Sequence, residues 1–394
     1  MLGRVELPVA WDLAARVGTR VAVGPGWSSS GSLLEEPDRR RLEDDFAAAT
    51  ERAEDLVEAA TGLRASHGPA RAEVVDRPAW VRANLVSFRH ILESALAKLD
   101  RPQPSMLLGK LGADMAGRVA ATELGALLGW FSTRVLGQYD LLFADGSDRG
   151  DLVSYVGPNI LAVERRHGFP PEQFRLWIAI HEVTHRAQFT GVPWLRSYFT
   201  ERVDRVVAAI APDPGRALDI IARLAGSLRR GSPERPDLPG TAGPGTAGPG
   251  TAGPGISGYA DGIGVIGVLL SPEQRVAFDE VQALMSLLEG HGDVTMDRAG
   301  SEVIPEAAWF SAVLSSRRRH PGMANRIIQQ LTGMGAKMRQ YEEGERFVRA
   351  VEEAGGPGLF SRVWDGPEWL PSMSEIRAPE LWIGRALHAD PVSR

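Results

Sequence analysis

The chain has 394 residues, enough for a large core and for two or three structural units, and its 43% hydrophobic and 24% charged residues are those of an ordinary soluble protein. A net charge of −6 and a pI near 5.8 exert no overall pull toward nucleic acid or anionic lipid, so neither is expected as a partner. The absence of cysteine excludes disulfides, thiolate zinc sites and cysteine nucleophiles, so any metal must be held by nitrogen and oxygen.

The N-terminus, Met1-Leu2-Gly3-Arg4-Val5-Glu6, lacks a continuous apolar stretch, and Asp12 and Arg16 interrupt the residues after it. No run approaches the length that crosses a bilayer, and a cytoplasmic location is the expectation. A short amphipathic piece at Trp11–Val17 gives way to Gly- and Ser-rich sequence as far as Gly31. From Pro37 the apolar positions Leu42, Phe46, Ala49, Ala53, Leu56 and Ala60 recur at spacings of three and four, which predicts a helix with one packed face. Helical patterns come next from about Pro78 to Leu99 and from Met106 to Phe143. The first 145 residues therefore read as a helical region without evident chemistry, and residues 146–394 as the part that carries the site.

Residues 144–151, Ala-Asp-Gly-Ser-Asp-Arg-Gly-Asp, form a loop signal, acidic but without the closing glutamate of an EF-hand. The β-branched and aromatic run from Leu152 to Val163 predicts one or two short strands. These are either a buried structural element or an edge on which an extended substrate pairs.

Pro170-Pro171 then opens a helix expected to span 171–190, stopped by Gly191 and Pro193. It contains His181-Glu182-Val183-Thr184-His185, a HExxH pattern. Histidines four apart on a helix point the same way, one turn above the other, so their imidazoles reach one ion. Glu182, about 100° further round, lies beside that ion and suits a general base for an activated water. Phe174, Trp177, Ile178, His181, His185 and Phe189 share one stripe, so the histidines are expected to continue the face that meets the core. Two imidazoles and a carboxylate there are costly unless a dication satisfies them.

Trp194–Phe199 reads as a packed connector and Val203–Arg229 as another amphipathic helix. Composition then changes sharply. Residues 231–258 are Pro/Gly-rich and include three tandem copies of Thr-Ala-Gly-Pro-Gly at 241–255, a low-complexity loop within the catalytic region. Gly262-Ile263-Gly264-Val265-Ile266-Gly267 matches the dinucleotide fingerprint, but no strand precedes it and no helix opens at it, so no nucleotide cofactor is expected.

A helix begins at Ser271-Pro272-Glu273-Gln274, with Ser at the cap and Pro at the first helical position. It is expected to end near Glu289-Gly290-His291-Gly292-Asp293, where three metal-capable side chains come after an apolar stretch. A zinc site with two histidines needs a third protein ligand and leaves a fourth position for water. Glu289 is the preferred ligand and His291 the alternative. Asp293, one turn beyond Glu289, is placed to accept the outward N–H of a ligand histidine, and His291 to donate to a developing oxyanion. The C-terminal part, from Pro305, is again helical and ends in a Trp- and Pro-rich tail that either completes a core or walls the cleft.

HEVTHRAQF, with LMSLLEGHGDVTMD about a hundred positions later, resembles the zincin-like metallopeptidase family of bacterial proteins, some of them labelled as associated with coenzyme F420 biosynthesis. The likeness extends to Trp11-Asp12-Leu13-Ala14 and to the stretches at Lys337–Tyr341 and Gly344–Val348. It implies a mainly α fold with a small β element, in which the HExxH helix packs against a second ligand-bearing helix. It also implies metal-dependent hydrolase activity but supplies no substrate; the residues themselves, two histidines, a third ligand and a glutamate base, make Zn²⁺ the expected cofactor and peptide or protein the expected substrate, with other amides open. In that light Glu289 and Asp293 resemble the ExxxD pattern of glutamate-ligand zincins. The rival expectation is a non-catalytic scaffold with a structural metal or none.

Overall fold

The computed structural model describes residues 9–24, 34–66, 68–97, 109–140, 151–210, 272–301, 303–319 and 334–388. The repeat loop at 231–258, the glycine fingerprint at 262–267 and the acidic loop at 144–150 lie outside the described residues.

Helix α1 (Trp11–Val23) packs on α3 (Arg77–Ala97) and α4 (Gly109–Ser132) in a small cluster around Ala14, Trp80, Val81, Leu85 and Leu128. Helix α2 (Glu36–Thr61) opens with Pro37 in its first turn and ends at Gly62, whose φ of 71° is the left-handed conformation that glycine adopts without strain. Its expected stripe is the one that packs: Leu42, Phe46, Ala49 and Ala53 are buried, together with Val57.

Three short strands form the β element: β1 (Arg71–Val75), β2 (Gly137–Tyr139) and β3 (Leu152–Val156), in the order β1-β3-β2. β1 runs parallel to β3, with Arg71 opposite Leu152 and Val75 opposite Val156, so a strand from the first 145 residues pairs with one from beyond them. β2 runs antiparallel to β3, with Gly137 opposite Tyr155 and Tyr139 opposite Val153. Two sequence expectations are corrected here. The run ascribed to one helix as far as Phe143 ends at Ser132, because the chain turns and adds β2. The strand signal from Leu152 holds only to Val156, since Gly157-Pro158 begins α5 (Gly157–His167), with Pro158 in its first turn. β3 is the central strand and β2 is an edge.

Helix α6 (Pro171–Gly191) has the bounds that its proline and glycine signals imply, but its packing differs from a single stripe. Fifteen of its 21 residues are buried, so it runs through the core with α2, the sheet and two later helices around it. His181 and His185 lie on its more open side, not on a fully buried stripe. Helix α7 begins directly at Leu195 (Leu195–Ile210), so the expected connector at 194–199 is mostly helix.

Helix α8 (Pro272–Ser301) crosses α6. It does not stop near Gly290-His291-Gly292, so Glu289 and Asp293 stand mid-helix, and the glycines serve packing. A Cβ on Gly290 would lie 2.2 Å from the carbonyl carbon of Gly344, and one on Gly344 would lie 1.9 Å from Ser286 O. The two backbones meet there because neither residue has a side chain. Gly344 belongs to α10 (Met334–Phe360), which breaks at Gly355-Gly356 just before Pro357. The remaining α-helices among the described residues are α9 (Ala307–Arg319), α11 (Met373–Arg377) and α12 (Pro379–His388), with a reciprocal Ser372–Glu375 capping box opening α11. The main core joins α2, β3, α5, α6, α8 and α9 around Phe46, Tyr155, Phe174, Ile180 and Phe310. A second core joins α8, α10 and the C-terminal turns around Phe347 and the fully buried Trp382, so the aromatic tail does complete a core.

Candidate metal centre

His181 and His185 present their rings nearly at right angles, with centroids 4.6 Å apart and Nε2 atoms 3.2 Å apart. From α8, Glu289 Oε2 lies 3.6 Å from His181 Nε2 and 3.8 Å from His185 Nε2. Donors about 2.0–2.2 Å from a tetrahedral ion are separated from one another by about 3.4 Å, so the three atoms stand where one ion needs them. His181, His185 and Glu289 form a group able to hold a metal. Between the alternatives for the third position, the fold brings Glu289, not His291, to the histidine pair. The three side chains remain 14–21% exposed, which leaves an approach from solvent.

Gly292 faces the rings closely: a Cβ there would stand a tight 3.2 Å from His181 Cε1 and in ordinary contact, 3.5 Å, with His185 Cε1. Asp293 Oδ1 lies 3.9 Å from His181 Nδ1, on the ring side away from Glu289. That nitrogen is buried without a hydrogen-bond partner. His185 Nδ1 lies 3.0 Å from Gln188 Oε1.

The charges of the cluster are interdependent. Burial disfavours the imidazolium of His185, yet the facing carboxylate of Glu289, with Glu182 nearby, overcomes it and pushes the pKa up to about 9. His181 moves up for the same reasons. Burial opposes ionisation of Glu289, but the two histidines that face it hold its carboxyl well below the usual range.

Glu182 is buried beside the pair and points at the sheet edge. A Cβ on Gly137 would meet its Cγ at 2.6 Å and its Oε1 at 2.7 Å, and its carboxylate accepts the backbone N–H of Tyr139. Burial pushes its pKa up, and the two histidines only partly offset this. The bonds from Asp140 N to Leu152 O and from Val156 N to Leu136 O show that even-numbered residues of this segment face β3, so Gly137 and Tyr139 turn their backbone groups outward. Nothing in the sequence pattern announces this three-residue strand, which hides at the end of an apolar helical run.

The edge is anchored from below. Tyr139 stacks over Phe189 of α6, and its hydroxyl accepts from Arg196 and lies 3.5 Å from Asp151. Arg186, fully buried on α6, donates to Asp151, Glu54 and the carbonyl of Gly68.

His291 does not stand where the oxyanion role expected from the sequence would put it. It is 4% exposed, stacked on Phe360 at 5.1 Å, with Trp364 edge-on at 5.4 Å, and its Nδ1 accepts from Gln188 Nε2 at 2.9 Å. Burial, with Arg298 and His185 adding to it, pulls its pKa down to about 3. It therefore backs the site as a neutral ring. Gln188, which contacts both His185 and His291, is missed by sequence reasoning; its only signal is its place three residues after His185 on the same helix face.

A helix bearing HExxH, a glutamate supplied by a second helix and a motif glutamate held at a sheet edge define a mainly helical zincin. The chain belongs to the zincin-like metallopeptidase family, whose model matches residues 9–383. The crystal structure of "a putative hydrolase with a novel fold" from Chloroflexus aurantiacus is similar to it, with 29% identity, a TM-score of 0.65 and coverage of 96% of this chain and 99% of that one. A comparison with curated proteins found no match. Among the described residues no helix is long and apolar enough to cross a membrane.

Proposed function

We propose that the protein is a zinc-dependent hydrolase that cleaves peptide bonds, with His181, His185 and Glu289 as ligands and Glu182 as the general base. The observation that carries this reading is the convergence of two Nε2 atoms and one carboxylate oxygen at separations of 3.2, 3.6 and 3.8 Å, with Glu182 alongside. The residues fit the group, since all three donors are nitrogen or oxygen and converge from two different helices. Zinc bound there would supply Lewis-acid chemistry, polarising the scissile carbonyl and acidifying a water.

Glu182 does the proton work. Its buried carboxylate, with its pKa pushed up, takes a proton from water as the oxygen attacks the carbonyl carbon. It then gives that proton to the leaving nitrogen as the C–N bond breaks. The N–H of Tyr139 holds one side of the carboxylate and Gly137 leaves room for it. An extended peptide paired by backbone hydrogen bonds to the outward edge of β2 would run past Glu182. Peptide substrates fit this edge and the family, and other amides are the next class to examine. Family membership and the hydrolase named for the similar structure support hydrolysis as the reaction class.

The test is hydrolysis of a peptide library by the zinc-loaded wild type and by Glu182→Gln. The variant is expected to keep its zinc and lose about 10²–10⁴-fold in rate. Equal rates would reject the role given to Glu182.

A further inference from the structure

Gln188 is fully buried, one turn beyond His185. Its Oε1 lies 3.0 Å from His185 Nδ1, and its Nε2 lies 3.0 Å from Leu288 O and 2.9 Å from His291 Nδ1. The orientation of this amide is dictated by its surroundings. Leu288 O is a carbonyl and only accepts, so Nε2 must face it and Oε1 must face His185. An amide oxygen has no proton to give, so His185 must carry its own on Nδ1. The Nε2 of His185, turned toward His181 and Glu289, is then left with the lone pair that a cation requires. The second amide N–H is directed at His291 Nδ1, which must be bare, so the ring proton of His291 sits on Nε2.

The same amide therefore reaches one ligand through its oxygen and the neighbour of another through its nitrogen, since Leu288 immediately precedes Glu289. We propose that Gln188 is a positioning residue for the metal: it selects the ligating tautomer of His185 and, through Leu288, sets the register of α8 against α6. This inference rests on the metal reading above and assigns the cross-helix alignment to a single side chain. Buried between α6 and α8, Gln188 acts on the ion only through His185 and Glu289.

The experiment measures Zn²⁺ affinity of the full-length protein by competition with a chromophoric chelator, for the wild type, Gln188→Leu and Gln188→Glu, with the melting temperature of each metal-free protein alongside. Gln188→Leu is expected to bind zinc about 10- to 100-fold more weakly. Gln188→Glu keeps an acceptor for the N–H of His185 but forfeits both donors, so it should recover the part of that loss that comes from the tautomer, keep the part that comes from the register, and melt lower. A merely structural role predicts lower melting temperatures for both variants with affinity unchanged, and that result overturns the proposal. Should Gln188→Leu fail to fold, ¹⁵N-imidazole NMR of the zinc-loaded wild type decides. Protons on His185 Nδ1 and His291 Nε2 support the proposal, and a proton on His291 Nδ1 overturns it. Failure of the wild type to take up zinc would remove the metal reading itself, whereas uptake that Gln188→Leu leaves unchanged removes only this inference.

Discussion

Gly137→Ala tests how closely the sheet edge governs Glu182. The φ of Gly137 lies outside the left-handed region, so alanine is conformationally permitted and the effect is steric. The added methyl would stand 2.6 Å from Glu182 Cγ, 2.7 Å from Oε1 and 2.8 Å from Cδ. Carbon contacts relax at about 3.5 Å, so the carboxylate must retreat by about 0.8 Å or the strand must lift by as much. Either movement breaks the alignment between the carboxylate and the Tyr139 N–H, and displacement of a reacting group on this scale costs about 10²-fold in rate, or about 2.7 kcal/mol. His181, His185 and Glu289 lie on α6 and α8, and zinc affinity should therefore be unchanged. The assay is kcat/KM on a cleaved peptide at equal zinc loading, with zinc stoichiometry and melting temperature measured in parallel. A Gly137→Ala protein that retains the wild-type rate to within about threefold, while Glu182→Gln is inactive, would refute the argument that this contact positions the base.

Gly344→Ala places a methyl 1.9 Å from Ser286 O, which forces α10 away from α8. Overpacking of about 1–3 kcal/mol should outweigh the roughly 1 kcal/mol gained in helix propensity and lower the denaturation midpoint; an unchanged midpoint would contradict the close crossing. Arg186→Met leaves the carboxylates of Glu54 and Asp151 without their buried guanidinium and is expected to cost about 3–5 kcal/mol in urea unfolding. A loss below about 1 kcal/mol would mean that these carboxylates find other partners. At the C-terminal end, burial tends to raise the pKa of Glu375, but Arg385 and the Ser372 cap outweigh it and hold it below its ordinary value. Its stabilisation is therefore present above the unfolded carboxyl pKa and lost as pH falls through the folded one. Glu375→Gln should lower stability slightly at neutral pH, by less than about 1 kcal/mol because Arg385 is partly exposed, and with it the melting temperature, and the difference should shrink in acid; a gap that widens in acid would reverse that sign.

The helix carrying the two histidines is readable from sequence because each of its signals is local. Pro171 marks the start, Gly191 the end, and the His181–His185 spacing depends only on helix pitch. The second ligand helix is legible in its apolar positions but not in its length. Gly290 and Gly292 look like a stop signal, whereas Gly290 is required by the backbone of Gly344, distant in sequence, and Gly292 faces the histidine rings. The strand at Gly137–Tyr139 is illegible because three residues carry no period, and its pairing with β3 is a tertiary fact. The position of Glu289 beside the histidines is recoverable because its apolar helix is, while the role that sequence suggests for His291 is not supported by its burial against Phe360 and Trp364.

The way α6 handles its polar groups explains why the site can stand ready before an ion arrives. Thr184 and Thr190 turn their hydroxyls back to the carbonyls of Ile180 and Arg186, and Arg175 pairs with Glu164 and Asp45. Arg186 and Gln188 are likewise bonded. Beside these bonded groups, two ring nitrogens face each other at 3.2 Å, where two bare lone pairs repel and the pair can share only one proton. The neighbours of the histidines hold them in this arrangement: Gln188 on one ring, the bare backbone of Gly292 between them and the carboxylate of Glu289 across the gap. A scaffold that fixes three donors in a geometry they would not choose alone has already met much of the ordering cost of metal binding during folding. The affinity of such a scaffold for an ion would depend on the packing of α6 against α8 as much as on the three donors themselves.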